Sequence, residues 1–104
     1  MLNAFYAWAR TTLDHMPEDI NTQLTMGQSA HNPSIRFEIA TDNANGSVTC
    51  WECGNFHANI TDSWSHQPRY TVQGKLDPAQ PLGPQLHDFL SKLGVADFAS
   101  VSQS

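Results

Sequence analysis

The chain has 104 residues, with five lysines and arginines against ten aspartates and glutamates, so its formal net charge at pH 7 is −5. This length suits one domain, which can bury roughly two-thirds of its unfolded surface without help from a metal or a disulfide. The missing basic stripe argues against a nucleic-acid partner, and no apolar run approaches the ~20 residues that a membrane span needs.

The first predicted element is an amphipathic helix from residue 2 to about residue 15. Its apolar side chains recur at helical spacing: Leu2, Phe5, Tyr6, Ala9 and Leu13. Pro17 ends the helix, because the residue before a proline is pushed out of the α region. Arg10 and Asp14 interrupt the apolar residues, so the segment does not resemble a secretory signal, and we expect a soluble, cytoplasmic protein.

The middle of the chain alternates apolar and polar residues, which predicts an antiparallel sheet with one buried face. Four strands are expected, at about 34–41, 47–53, 55–62 and 69–74. The Asn- and Gly-rich segment 43–46 is interpreted as the turn between the first two, and 63–68 as a longer loop between the last two. Segment 19–26 alternates weakly and is either an edge strand or a loop, and the role of residues 17–33 stays open.

The C-terminal part predicts a second helix. Asp77 before Pro78 is a helix-start signal, but Pro81 and Pro84 restrict the firm helix to about residues 84–93. Its apolar stripe consists of Leu86, Phe89, Leu90 and Leu93. Gly94 is placed to cap the helix in the left-handed conformation.

Both helices have to cover the same face of the sheet if the other face is to remain in water. The expected architecture is therefore an α+β fold, a two-layer sandwich of an antiparallel meander and the N- and C-terminal helices. We expect one domain over residues 1–94 and a flexible tail over 95–104, with Phe98 docked on the domain.

The segment Cys50-Trp51-Glu52-Cys53 has the spacing of redox and zinc motifs. A thioredoxin-type site lies at a helix start, where the helix dipole lowers the thiol pKa, whereas this motif lies in a strand pattern. Two cysteines three residues apart on a regular strand point to opposite faces. Zinc would need two further ligands, for which His57 and His66 are the nearby candidates. A small zinc or redox protein is thus an alternative, and we expect no metal and no cofactor.

The remaining polar residues predict no catalytic site. The five histidines are scattered, and His57 is expected on the exposed face of its strand, without a nucleophile and an orienting acid in reach. Glu38, Asp42, Glu52 and Asp62 belong to neighbouring strands or their ends, so they can gather on one edge of the sheet. We therefore expect a protein that is not an enzyme and whose acidic face binds a cationic partner.

Two tryptophans are further candidates for contact with a partner. Trp51 points outward if Val48 and Cys50 point inward, whereas the opposite register places it in the core. Trp64 follows Asp62 in a loop. Exposed tryptophans beside acidic residues are typical of protein interfaces. The expected partner-binding residues are Trp51, Glu52, Asp62 and Trp64, followed by Asp42 and Tyr70.

Residues 48–54, VTCWECG, and the following Ile60-Thr61-Asp62 resemble small bacterial immunity proteins of the TriTu type. In that pattern an aliphatic strand ends in Trp-Glu, a small residue and Gly. The next strand ends in an acid, and a Leu-rich helix closes the domain. The resemblance spans about residues 2–94. Cys50, in place of a larger aliphatic residue, and the 63–68 loop depart from it.

The resemblance implies an antidote that binds a polymorphic, often Rhs-borne, toxin delivered between bacteria. The family's partner is an ADP-ribosyltransferase aimed at elongation factor Tu. A cleft that receives NAD phosphates is often cationic, so an acidic protein bound one to one is expected to occlude it. The alternative from another class is an adaptor or chaperone for a secreted effector, which would dimerise and bind extended segments.

Overall fold

Residues 2–27, 33–77 and 79–95, described by a computed structural model, form three helices and five strands. In chain order these are α1 (Leu2–Asp14), β1 (Asn21–Met26), β2 (Ser34–Ala40), β3 (Ala44–Trp51), β4 (Asn55–Asp62), β5 (Pro68–Lys75), α2 (Leu82–Gln85) and α3 (His87–Leu93). The strands pair antiparallel in sequence order as one open sheet. The predicted α+β fold is confirmed, and the weakly alternating segment is the edge strand β1.

The strict alternation in β2 decides which face of the sheet is buried. Ile35, Phe37 and Ile39 are at most 4% exposed, while Arg36 between them is exposed. α1 packs on β2 and β3, and α3 packs on β3 and β4, so the helices cover this one face. The opposite face carries the polar positions of the strands and is open to solvent.

The buried stripe of α1 differs from the predicted one. Phe5, Ala9 and Thr12 are its buried residues. Trp8, which the prediction missed, lies edge-on to Phe37 with ring centroids 5.7 Å apart. Tyr6 is 39% exposed, so its place in the predicted stripe is wrong. Tyr6 follows Phe5 by one residue, about 100° around the helix, whereas Trp8 is three residues on and returns to the same face.

The turn between β2 and β3 is shorter than predicted. The Thr41 amide donates to the Ala44 carbonyl oxygen at 2.8 Å, and the Thr41 hydroxyl oxygen accepts from the Ala44 amide at 3.1 Å. Only Asp42 and Asn43 therefore lie beyond this closing pair. The next strand begins at Ala44 instead of residue 47, so the predicted turn over 43–46 is wrong.

Gly46 belongs to the interior of β3, where it lies directly beneath α3. A Cβ atom at this position would be 2.9 Å from Leu93 Cδ2 and 3.0 Å from Phe89 Cζ. Glycine is therefore needed for the close approach of helix and sheet, and its freedom to form turns is not used here.

The C-terminal segment forms two short helices instead of one. Leu86 separates them, with φ −107° and ψ 8°. Gly94 ends α3 at φ 90°, which confirms the predicted left-handed cap. Val95, assigned to the flexible tail, is buried at 1% exposure. The rest of that tail with Phe98, and Pro78 of the start signal, lie outside the described residues.

Candidate functional site

The residues predicted to bind a partner divide between the two ends of the sheet. Residues 41–43 and 62–67 lie at one end, here called the Trp64 end, because they join β2 to β3 and β4 to β5. Residues 51–54, which join β3 to β4, lie at the opposite Trp51 end. β4 spans the distance with eight residues, which at ~3.3 Å per residue separates the ends by about 23 Å.

This separation corrects the predicted gathering of carboxylates on one edge. Asp42 and Asp62 lie at the Trp64 end, whereas Glu52 lies at the Trp51 end. Glu38 is in the middle of β2, and its Oε1 is 2.7 Å from Nε of Arg36, so its charge is compensated locally. Of these four carboxylates only Asp42 and Asp62 lie at the same end, because the extended strands separate them from Glu52.

Trp64 is the most exposed large hydrophobic residue among those described. Its side chain is 82% exposed, compared with 48% for Met26 and 39% for Tyr6. An indole in water leaves most of its apolar area available for burial against another molecule. Trp64 is thus confirmed as an exposed residue beside an acid, as the sequence indicated.

The loop that carries Trp64 is closed by hydrogen bonds to Asp62. Oδ1 of Asp62 accepts from the Trp64 amide at 2.9 Å and from the Ser65 amide at 3.0 Å. The Asp62 amide donates to the Gln67 carbonyl oxygen at 2.9 Å, and the His66 amide donates to the Asp62 carbonyl oxygen at 3.0 Å. His66 adopts φ 59°, the left-handed region, which allows the chain to turn back into β5.

These contacts also set the protonation of Asp62. The Ser65 and Trp64 amides stabilise the carboxylate, and they lower its pKa below the ordinary value of 3.8. Arg69 adds a smaller effect, with Nη1 at 3.9 Å from Oδ2. Asp62 is therefore ionised at neutral pH, with one oxygen used by the loop and the other facing a cation.

The neighbouring turn joins the same surface. The Ser63 amide donates to the Asn43 carbonyl oxygen at 3.0 Å, which ties the loop to the β2–β3 turn. Asp42, next to Asn43, is exposed. The structure thus brings Asp42, Asp62 and Trp64 together at one end of the sheet.

Trp51 lies on the open face of the sheet, at the other end. It pairs with Ser34 in the ladder and is half-buried, while Cys50 points into the core. The outward register is therefore correct, and the alternative of a core Trp51 is wrong. Glu52 and Cys53 are exposed in the turn that follows, where Gly54 adopts φ 95°.

A shallow depression of about 660 Å³ lies beside Trp51. Its lining comes from three neighbouring strands: Trp51, Asn55, Phe56, His57, Gln73, Gly74 and Lys75. Sequence reasoning missed Gln73 and Lys75, because they join this surface only through the pairing of β4 with β5. The ladder places His57 on the open face as predicted, opposite Thr49 and Gln73.

Tyr70 lies on β5, near the Trp64 end of the sheet. It pairs with Ile60 and packs against the core on the face that the helices cover. Burial raises the pKa of its hydroxyl, and the negative charge of Asp88 adds to the shift. Tyr70 is therefore a residue at the margin of the core.

The residues considered for zinc or redox chemistry do not meet. Cys50 is buried, and burial raises the pKa of its thiol to about 11, whereas Cys53 is exposed in the turn. His66 is at the opposite end of the sheet from both. Within residues 2–27, 33–77 and 79–95, no three His, Cys, Asp or Glu side chains form a group that could hold a metal ion.

Comparison with known protein families gives a match that covers most of the chain. The family described as immunity protein TriTu matches residues 3–92, from the first turn of α1 into α3. This chain belongs to the TriTu immunity protein family. The TriTu match contains both ends of the sheet, and it confirms the resemblance drawn from residues 48–54 and 60–62.

Membership of the TriTu family gives the chain a general role: it is an immunity protein, and such a protein binds a cognate toxin. A comparison with curated proteins found no match. In the described part of the TriTu chain, no helix is long and apolar enough to cross a membrane.

Proposed function

We propose that this protein neutralises an antibacterial ADP-ribosyltransferase by binding it one to one and covering its active site, without catalysis of its own. The observation that carries the proposal is Trp64, 82% exposed on a loop closed by hydrogen bonds. The toxin class follows the resemblance of residues 48–54 to TriTu-type proteins. If the toxin modifies elongation factor Tu, the antidote acts in the bacterial cytoplasm, where that factor works.

The hydrophobic contribution of such an anchor is large. Burying a tryptophan removes about 150–250 Å² from water, which at about 25 cal/mol per Å² corresponds to about 4–6 kcal/mol before the opposing entropy terms. Residues with this effect usually lie at the centre of an interface and are surrounded by polar contacts. We therefore assign the Trp64 end as the primary contact surface and the Trp51 end as the second candidate surface.

The charge of the Trp64 end supports an active-site partner. Asp42 and Asp62 flank the loop, and the chain carries a net charge of −5. A cleft that binds NAD has to attract two phosphates, so its surroundings are expected to be basic. Opposite charges accelerate association by about 10- to 10³-fold at low ionic strength, which suits an antidote that has to act before the toxin does.

The proposal is tested by co-expression with the toxin domain encoded beside this gene. We expect growth to be rescued, a 1:1 complex in size-exclusion chromatography with light scattering, and loss of NAD binding by the toxin in the complex. A toxin that still binds NAD in the complex would contradict active-site occlusion. A dimer of the free protein that binds unfolded effector tails instead would support the adaptor alternative.

Two charge reversals of equal size distinguish the two ends of the sheet. Asp42→Lys and Glu52→Lys both replace an exposed turn carboxylate and change the net charge equally. We expect Asp42→Lys to slow association more, because only Asp42 lies beside Trp64. A larger effect of Glu52→Lys would transfer the contact surface to the Trp51 end.

A further inference from the structure

We propose that Asp62 is a positioning residue: it holds residues 62–67 as a preformed docking loop that presents Trp64 to the toxin. The inference rests on the proposed function and concerns how the Trp64 end performs it. In this assignment Asp62 acts through the backbone of the loop, and Trp64 makes the contact.

The first argument is the position of the carboxylate beneath the loop. Oδ1 accepts two consecutive amides, from Trp64 at 2.9 Å and Ser65 at 3.0 Å. Hydrogen bonds to an ionised oxygen are stronger than those between neutral groups. The two amides lie on either side of the Trp64 Cα atom. Because both donate to the same oxygen, the bonds restrain the φ and ψ angles of Trp64.

The second argument is that the rest of the loop is held in a disfavoured conformation. His66 has φ 59°, a region that residues other than glycine seldom occupy. The bonds from the His66 amide to the Asp62 carbonyl, and from the Gln67 amide to Ser65 Oγ at 3.3 Å, maintain it. The same conformation lets the chain turn back into β5, so the hairpin connection and the fixed position of Trp64 depend on one backbone geometry, and strained residues that their surroundings hold in place are frequent at binding sites.

The third argument is that the loop is attached to a second fixed turn. The Ser63 amide binds the Asn43 carbonyl at 3.0 Å. That turn is itself closed by Thr41, whose hydroxyl oxygen accepts from the amides of Asn43 at 3.2 Å and Ala44 at 3.1 Å. The base of the docking loop is therefore tied by hydrogen bonds to the turn between β2 and β3, which is itself fixed.

A fixed loop matters because ordering on binding reduces affinity. Immobilising one flexible side chain or loop residue at an interface weakens association by roughly two- to tenfold. The Trp64 side chain is too exposed to contribute to the core. Under the proposal, the fixed backbone of its loop therefore serves docking.

The chemistry of the partner site follows from the same contacts. One Asp62 oxygen is used by the loop, and the other is 3.9 Å from Arg69. The exposed carboxylate of Asp42 is therefore more available than that of Asp62 for an ion pair with a partner. The matching toxin surface is therefore a pocket wide enough for an indole ring, with a basic residue on the rim that faces Asp42.

The experiment compares Asp62→Ala, which removes the acceptor, with Asp62→Asn, which keeps a side-chain oxygen at that position. Asp77→Ala is the matched control. Asp77 Oδ1 also accepts a nearby amide, from Ala79 at 2.9 Å, but it follows β5 near the Trp51 end. Circular dichroism confirms that each variant is folded. The readouts are the heteronuclear NOE of the Trp64 and Ser65 amides in the free protein, and the Kd for the toxin domain used in co-expression.

We expect Asp62→Ala to lower both NOE values and to weaken binding roughly three- to tenfold. Asp62→Asn should keep most of the order and affinity, and Asp77→Ala should change neither. Unchanged NOE values in Asp62→Ala would overturn the positioning role. So would an ordered loop in Asp62→Asn with binding as weak as in Asp62→Ala, because the charge itself would then make the contact.

Two further outcomes separate this inference from the proposed function. If the unmodified protein does not bind the toxin, the proposed function fails before any variant is compared. If it binds and Trp64→Ala binds equally well, the proposed function survives and the docking loop does not.

Discussion

Replacing Gly46 by alanine is expected to destabilise the protein, although alanine is normally favoured over glycine in a strand. The added methyl group would lie 2.9 Å from Leu93 Cδ2 and 3.0 Å from Phe89 Cζ, closer than carbon atoms approach without displacement. Both side chains lie on the buried face of α3, at 6% and 1% exposure, so the added methyl group has to displace atoms of the core.

The size of the effect follows from two opposing contributions. Inserting a methyl group into a packed core costs about 1–3 kcal/mol. Removing the backbone freedom of glycine contributes about 0.5–1 kcal/mol in the other direction. The free energy of unfolding should therefore fall by about 1 kcal/mol, within a range of about 0–2.5 kcal/mol, and each kcal/mol corresponds to about 4–8 °C in Tm for a domain of this size.

Urea unfolding followed by tryptophan fluorescence measures this difference, with Gly74→Ala as the control. Gly74 is also in a strand, but it lies on the edge strand β5, and its nearest neighbour is the Phe56 ring at 3.4 Å, an ordinary contact. We expect Gly74→Ala to be neutral or slightly stabilising. Equal stability of Gly46→Ala and the unmodified protein, or equal effects at both glycines, would refute the close-approach argument.

A double-mutant cycle strengthens the test. Leu93→Ala alone should cost about 2–5 kcal/mol, because it leaves a cavity. Combined with Gly46→Ala, the total loss should be smaller than the sum, since the space vacated by Leu93 admits the new methyl group. A purely additive result would mean that the two positions do not share this space.

Three further predictions concern the exposed residues. Trp64→Ala should change the free energy of unfolding by no more than about 0.5 kcal/mol, while in co-expression it should lose protection against the toxin; a large loss of stability would show a structural role. Because the pKa of Asp62 is lowered, its contribution to loop order should be complete above its ordinary value of 3.8 and disappear as pH falls through the lower folded value; the NOE of the Trp64 amide followed from pH 6 to pH 2 checks this. Thiol titration at pH 8 should detect Cys53 alone in the folded protein and Cys50 only after unfolding, because the buried Cys50 thiol has a pKa of about 11; fast reaction of both would contradict the burial.

The sequence predicted the sheet well where local pattern and tertiary packing agree. Alternation identified β2 and β4 nearly to their ends, since the inward positions of β2 and the centre of β4 are buried. It failed at Asn45-Gly46, where the local preference for a turn is overridden by the contact of Gly46 with α3. No local property of the chain reveals a helix that arrives more than forty residues later.

The candidate site was predicted residue by residue but not as an arrangement. Trp64 and Asp62 were recognised as neighbours in sequence, whereas the sequence left open whether Trp51 faces outward or lies in the core. The separation of Glu52 from Asp42 depends on strand length and on which end of the sheet each turn occupies. The use of the Asp62 carboxylate by the loop amides depends on backbone conformation, in particular the positive φ of His66, which sequence does not specify.

The core of the described chain is formed by the helices, the inward strand positions and their immediate flanks, and it includes no side chain from residues 62–67. Most substitutions at the tip of this loop should therefore leave folding almost unaffected, and under the proposed function they alter the surface offered to a toxin. Because the loop is separate from the core, its binding specificity can change by substitution without compensating changes in the interior. Exchanging this short segment between related antidotes should transfer specificity in the same way. Under the proposed function, a bacterium that meets a modified toxin can thus acquire resistance through changes confined to one corner of the molecule.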